Sequence, residues 1–397
     1  MLGPAVALSD LWPSDAVVVQ RPSDDSLDWL RRACLWADRS SATPLTYAGE
    51  LPIICHEAAV RPGALELLSD AGLRLPPEII PYTQCDEMLA LVADQVRRGR
   101  RLGITYTSRE PWAPAESYVN PPDLVAELND KASLADLLPP EAVPERRVVE
   151  QPELAAVLSS GARSLPLVLK ASSRLGSGAG ADVLICCTQD DLERAGPKFA
   201  PASRVVVERF YQFSATWCVH FALSDERVRY CGTAQQICDA AGTYLGNWSG
   251  AGFAVEPDAI EVAYHAARAG WSRGYRGFMG LDIGRVAGGG FIGFDLNFRN
   301  NGSTPQVLLG AAIGSAWGAG VSRLCLGVRF SGAFESMVKQ LAAGVTRREL
   351  VPLLAFDTPS VTAGAEQPMC NVLVAGDTVD AVDRAVTRLA QTGFTIP

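Results

Sequence analysis

The run Gly280-Leu281-Asp282-Ile283-Gly284-Arg285-Val286-Ala287-Gly288-Gly289-Gly290-Phe291-Ile292-Gly293-Phe294-Asp295-Leu296-Asn297 reads as a tight β-hairpin. A two-residue Gly288-Gly289 turn, which tolerates positive φ at both positions, pairs Ala287 with Gly290 and, counting outward, Asp282 with Asp295. Like charges directly opposed across strands repel, so this register makes sense chiefly with a cation between the two carboxylates. The two-residue period of a strand puts Asn297 on the face of Asp295. Oxygen donors with no His or Cys among them select a hard cation, Mg²⁺ before Zn²⁺. The alternative is a surface hairpin with two solvated aspartates, and the choice between them depends on what lies upstream.

Upstream, Leu165-Pro166-Leu167-Val168-Leu169-Lys170 reads as a buried strand ending in a lysine. It is followed by Ser172-Ser173-Arg174-Leu175-Gly176-Ser177-Gly178-Ala179-Gly180 and a second apolar run, Ala181 to Cys186. The glycine spacing is not that of a dinucleotide fingerprint, and no Gly-Lys-Ser/Thr closes a Walker loop. What remains is a glycine-rich hairpin: either a mobile turn, or a lid whose backbone N–H groups, at Ser177 and Gly178, fold over phosphates while Lys170 supplies a point charge. A third piece, Arg204-Val205-Val206-Val207-Glu208-Arg209-Phe210-Tyr211, reads as a core strand running into an acidic and aromatic segment. Such a segment either ends at the surface or offers Glu208 and Phe210 to an adenine ring.

In order and spacing these pieces resemble the ATP-grasp superfamily of carboxylate–amine ligases, over roughly Leu124 to Pro305. The resemblance implies an α/β ATP-grasp fold with α+β character in its lid. It assigns ATP to Lys131, Lys170, Ser177, Gly178, Glu208 and Phe210, and Mg²⁺ to Asp282, Asp295 and Asn297. Arg299, in Asp295-Leu296-Asn297-Phe298-Arg299, becomes the catalytic residue that steadies an acyl phosphate or a tetrahedral oxyanion; a salt bridge from Arg299 to one of the aspartates is the alternative. Two departures stand out. Gln212-Phe213-Ser214-Ala215-Thr216 lacks the acidic ribose contact usual after the hinge, and the metal pair is Asp and Asp where many relatives place Glu second. The appended carboxyl-terminal region also resembles the peptide ligase of pheganomycin biosynthesis, which implies natural-product chemistry.

The implied reaction joins a small-molecule carboxylate to an amine, both amino acids or peptides, with ATP converted to ADP and phosphate. An ATP-grasp phosphotransferase and a nucleotide-binding regulatory module without turnover are the other readings. Tyr244 and Trp248 lie in a glycine-punctuated loop, Gly242 to Gly252, that either lines a substrate pocket or packs on the core. Asn301 and Ser303 follow Arg299 in a turn suited to a substrate carboxylate. His220, flanked by apolar residues, reads as a core histidine.

The remaining sequence sets the organisation. Residues 1–122 alternate short apolar runs (Ala16 to Val19, Leu51 to Ile54, Leu102 to Tyr106) with helix-like stretches (Leu27 to Ala37, Cys85 to Arg98), as expected of a pre-ATP-grasp α/β domain. Residues 123–307 form the ATP-grasp region, with the lid at about 146–210, and 308–397 a small carboxyl-terminal domain. The last of these is expected to hold a helix from Phe334 to Ala343 and a strand from Asn371 to Ala375. It ends in an Asp377-capped helix with Val379, Val382, Val386 and Leu389 on one face. A net charge of −9, with no basic run, argues against a nucleic-acid partner. No window has the length of a membrane span, and the amino terminus lacks a signal-peptide pattern, so a cytoplasmic enzyme is expected, with a homodimer compatible. The ten cysteines are scattered, mostly in apolar runs, and read as reduced thiols.

Overall fold

Short β-branched runs at the amino end build a parallel sheet in the order β3-β2-β1-β4, from β1 (Ala16–Val19), β2 (Ile53–His56), β3 (Ile79–Tyr82) and β4 (Arg101–Ile104). Every residue of β1 and β2 is buried, as expected for parallel strands covered on both faces. Pro81 is tolerated because β3 is an edge strand. The computed structural model describes residues 1–22, 24, 33–159, 165–175, 180–239, 242–361 and 367–397. The helix expected from Leu27 is described only as Ala33–Ser40, its earlier residues lying outside that set. The second expected helix spans Cys85–Arg97.

A four-stranded antiparallel sheet follows, in the order β5-β8-β6-β7: β5 (Arg146–Glu150), β6 (Leu167–Ser172), β7 (Val183–Cys186) and β8 (Arg204–Arg209). These strands span 146–209 and fill the segment read as a lid. Their core of Leu167, Leu169, Phe199, Val205 and Val207 is separate from that of the rest of the chain.

The large sheet has nine strands: β9 (Phe213–Leu223), β10 (Val228–Cys238), β11 (Tyr244–Gly250), β12 (Gly277–Val286), β13 (Phe291–Asn297), β14 (Val321–Phe330), β15 (Leu350–Phe356), β16 (Met369–Gly376) and β17 (Phe394–Thr395). The order is β13-β12-β9-β10-β11-β14-β16-β15, with β17 beside β14. This sheet crosses the boundary expected at residues 307/308: β14 pairs with β11, so the carboxyl-terminal strands extend the grasp sheet and do not form a sheet of their own. A single cluster, including Leu45, Leu51 and Ile53 of the amino-terminal domain and Leu324, Leu354 and Leu373 of the large sheet, ties the two together.

At the carboxyl end, the helix expected from Phe334 runs to Thr346. The last helix, Val379–Gln391, is capped by the hydroxyl of Thr378, which accepts from Ala381 N at 3.2 Å, and not by Asp377 as expected. Val379 sits in the first turn and is exposed, while Val382 and Leu389 are buried. Every described cysteine is a free thiol, and no described helix is long and apolar enough to cross a membrane.

Candidate active site

In the β12–β13 hairpin Asp282 stands directly opposite Asp295, Leu281 opposite Leu296 and Gly280 opposite Asn297. The register is the one expected, but the turn is not. Val286 N donates to Gly290 O, so the loop holds three residues, and Gly288, Gly289 and Gly290 all have positive φ. The one-residue offset is undone by a bulge between Gly293 and Asp295 that leaves Phe294 without a partner in β12. The bulge has a use, since the Phe294 carbonyl accepts from Lys170 Nζ at 2.6 Å.

Both lysines of the candidate site are held by carboxylates. Lys131 lies in a short turn capped by Asp130, which accepts from Ala132 N and from Ser172 of the lid, and its ammonium pairs with Asp295. Lys170 pairs with Glu208 at 2.6 Å, and both side chains are nearly inaccessible. Arg146, which the sequence reading did not single out, stands beside Glu208 at 3.6 Å and donates to the Lys131 carbonyl. Its Nε and Nη1, and Glu208 Oε1, are buried without a hydrogen bond. Buried polar atoms left so are costly, and here they lie beside the Lys170–Glu208 pair.

Arg299 is fixed from two sides. Asn129 Oδ1 accepts from Arg299 Nη1 at 2.9 Å and from Phe298 N at 3.0 Å, and the guanidinium lies 5.4 Å from the centre of the Tyr106 ring. The strand end is anchored by Phe298, whose ring occupies the space where a Cβ on Gly270 would come within 2.1 Å. An alanine at 270 would therefore displace Phe298, and Arg299 with it.

Two family models match the chain: the ATP-grasp domain of L-aspartate–L-methionine ligase over residues 144–297, and the amino-terminal domain of the same ligase over residues 7–126. Together they cover more than half of the chain. This protein belongs to the ATP-grasp ligases. It is an ATP-dependent ligase of the carboxylate–amine type. Solved structures share the fold at low identity. The L-amino acid ligase from Bacillus licheniformis is 13% identical at a TM-score of 0.55, with 96% of this chain and 98% of that one covered. An ADP complex of N5-carboxyaminoimidazole ribonucleotide synthetase is 12% identical at 0.59, with 96% and 97% covered. A biotin carboxylase–ATP complex from Campylobacter jejuni is 12% identical at 0.57, with 96% and 92% covered.

In this ATP-grasp ligase the opposed carboxylates titrate apart. Burial and the Asp295 charge push Asp282 up to about 7, partly countered by a hydrogen bond from the Cys218 thiol. For Asp295 burial is outweighed by Lys131, Lys170 and Arg299, and it is lowered. Burial opposes the Lys131 charge too, but Asp295 and Asp182 leave it raised. The Asp282 shift has a consequence for stability. The folded protein keeps this proton up to about pH 7, whereas the unfolded chain releases it near the ordinary carboxylate value. The contribution of Asp282 to stability is therefore complete below that value and is lost as the pH rises through about 7. Asp282→Asn removes the charge, so it is expected to raise the thermal midpoint of the nucleotide-free, metal-free ligase at pH 8 and to change it little at pH 4. A midpoint at pH 8 equal to or below the parent's would contradict this.

The remaining expected residues are placed unevenly. Ser177 and Gly178 lie outside the described residues. Phe210 follows β8 and is partly buried. Tyr244 is partly buried, close enough to Cys218 and Asp282 for their charges to add to desolvation in holding its phenol well above the ordinary value. Trp248 does not join it. The bulge at Leu245 puts Tyr244 on the face of Asn247, to which its hydroxyl donates, while Trp248 stacks on Phe253 at 5.1 Å beside Arg323. Asn301 and Ser303 are tied to each other, Asn301 to Cys218 and Ser303 to His220 at 2.8 Å. His220 is buried, and desolvation lowers it to about 3, so it is a neutral core histidine.

Besides Arg146, the sequence reading missed an aromatic row in which Tyr211 stacks on Phe213 and Phe213 on Phe294, with Lys170 Nζ 6.0 Å from the Phe294 ring centre. Phe213 lies flat over Gly284, where a Cβ would come within 2.4 Å of the ring. The signal was present as Gly280 and Gly284 on either side of Asp282 in β12, but only the pairing of β12 with β9 shows what Gly284 makes room for.

Proposed function

We propose that this ligase activates the carboxylate of an amino acid with ATP and joins it to the amine of a second amino acid. The single observation that carries the reading is convergence: Lys131, Lys170, Arg299 and two opposed aspartates, drawn from four separate segments, meet at one end of the β12–β13 hairpin. The family match makes L-aspartate and L-methionine the first pair to test. A peptide product fits natural-product assembly, and dependence on ATP fits the cytoplasm.

Asp282, Asp295 and Asn297 offer only oxygen, and burying two facing carboxylates is offset best by a hard cation between them, so the set fits Mg²⁺. Held there, Mg²⁺ would supply neutralisation of charge on the β- and γ-phosphates.

The protein's own groups do the rest. Lys170 exchanges Glu208 for phosphate oxygens, and Lys131 exchanges Asp295. Glu208 and Phe210 at the end of β8, with Phe213 and Phe294, flank the adenine. The substrate carboxylate attacks the γ-phosphorus, ADP leaves, and an acyl phosphate forms. The amine then attacks the acyl carbon, the bond from that carbon to the phosphate oxygen breaks with its electron pair leaving on phosphate, and the nitrogen loses a proton. Arg299, already oriented by Asn129, presents a planar fork to the acyl phosphate and then to the oxyanion.

Phosphate release is expected only when ATP, a carboxylate and an amine are all present, with L-aspartate and L-methionine supplied first. Calorimetry is expected to show ATP bound with Mg²⁺ and no comparable binding of GTP or NAD. Transfer of phosphate to a stable product without an amine would replace this reading with a phosphotransferase.

A further inference from the structure

Arg39 sits in the last turn of helix Ala33–Ser40, partly buried, and pairs with no acidic side chain among the described residues. Its Nη1 reaches the Met369 thioether at 4.0 Å, and Arg329 is cross-strand from Met369 on β14. Asp38, next in the helix, is already taken by Arg21 Nε at 2.7 Å and Tyr82 OH at 3.2 Å. Burial and the nearby Arg329 lower Arg39 to about 10, so it stays charged at neutral pH beside a second cation. Two neighbouring guanidiniums repel, and an anion between them relieves the repulsion.

The surroundings point that anion toward the substrate site. Trp36, one helical turn before Arg39, meets Tyr106 edge-on at 5.9 Å, and Tyr106 carries Arg299 on its ring. From the other side, Arg39 Nη1 lies 3.3 Å from where a Cβ on Gly327 would sit. Gly327 and Leu326 form a bulge opposite Asn371, whose Oδ1 accepts from Gly327 N at 2.9 Å. Leu326 in turn lies against Gly302, beside the Tyr244 hydroxyl. Contacts thus run from the Arg39 end of the helix through Trp36 and Tyr106 to Arg299, and from Arg39 through Gly327 and Leu326 to Gly302 and Tyr244.

We propose that Arg39 and Arg329 receive a carboxylate of an amino-acid substrate other than the one activated. This deepens the ligase reading and rests on it for the site's location. Two sources share the chemistry: the side-chain carboxylate of an acidic donor, and the free α-carboxylate of the acceptor. Calorimetric binding with Mg²⁺ and a non-hydrolysable ATP analogue separates them, comparing L-aspartate with L-asparagine and L-methionine with L-methioninamide. The parent is expected to prefer the acid about tenfold or more in one of the pairs, the loss expected when a hydrogen-bonded charge goes unpaired. Arg39→Gln is expected to abolish that preference, and the exposed Arg329→Gln to reduce it, with affinity for the ATP analogue unchanged in both. If Arg39→Gln does not fold, Arg329→Gln carries the test. An undiminished preference in the variants, or no preference in the parent for either pair, including no binding of either acid, overturns the proposal. Because binding is read without turnover, a preference that responds to the variants while no phosphate is released would sink the ligase reading alone.

Discussion

Asp295→Asn is expected to lower turnover by about 10²-fold or more, by analogy with removal of one transition-state stabiliser, while affinity for MgATP falls far less. Asp295 has two partners to lose. It faces Asp282 across the hairpin, and it pairs with Lys131. An amide still accepts a hydrogen bond from the ammonium, so Lys131 keeps its place, but the charge that would hold a cation against Asp282 is gone. Charge on the transferring phosphoryl group grows toward the transition state, so the loss belongs mainly in kcat. The measurement is kcat and KM for ATP at saturating Mg²⁺. Near-normal turnover would mean that this face of the hairpin does not meet the phosphates.

That hairpin was legible because strand period and opposed charge act locally, within eighteen residues. Even there the route was imperfect. The expected two-residue turn is a three-residue one, and the bulge at Phe294 restores the register. No local signal marks such a bulge, whose purpose is a carbonyl for a lysine 124 positions away. Lys170 was visible as a charge at the end of an apolar run, and Glu208 as an acid after a β-branched run. Their ion pair was not, because it depends on β6 and β8 being neighbours. Arg146 and Asn129 were illegible for the same reason: each acquires its role from a partner brought up by tertiary structure. The extension of the grasp sheet by β14, β15 and β16 likewise rests on the β11–β14 pairing, between segments about seventy residues apart. Trp248 failed differently, since one extra residue at Leu245 sends it to the other face of the sheet from Tyr244.

Arg299→Lys is expected to lower turnover by roughly 10- to 100-fold, the equivalent of one charge-assisted hydrogen bond of about 1.5–3 kcal/mol, with MgATP affinity near the parent's. The structure explains why the guanidinium and not merely the charge should matter. One nitrogen is committed to Asn129, and the plane is set by the Tyr106 ring, so the fork is oriented before any substrate arrives. A lysine ammonium can take the bond to Asn129 or meet the substrate, and it cannot present two parallel donors to one planar or tetrahedral group. Asn129→Ala should then reproduce part of the loss with Arg299 intact, because it frees the guanidinium and also removes the acceptor of Phe298 N. Carboxylate-dependent exchange of label between ADP and ATP separates the two half-reactions. Exchange that survives in Arg299→Lys while amide formation falls would place the residue at the oxyanion, and loss of both at the acyl phosphate. Full ligation with weakened ATP binding would instead make Arg299 a nucleotide contact and move the reaction centre toward Asn301 and Ser303, whose hydrogen bonds to Cys218 and His220 would then have to open for substrate.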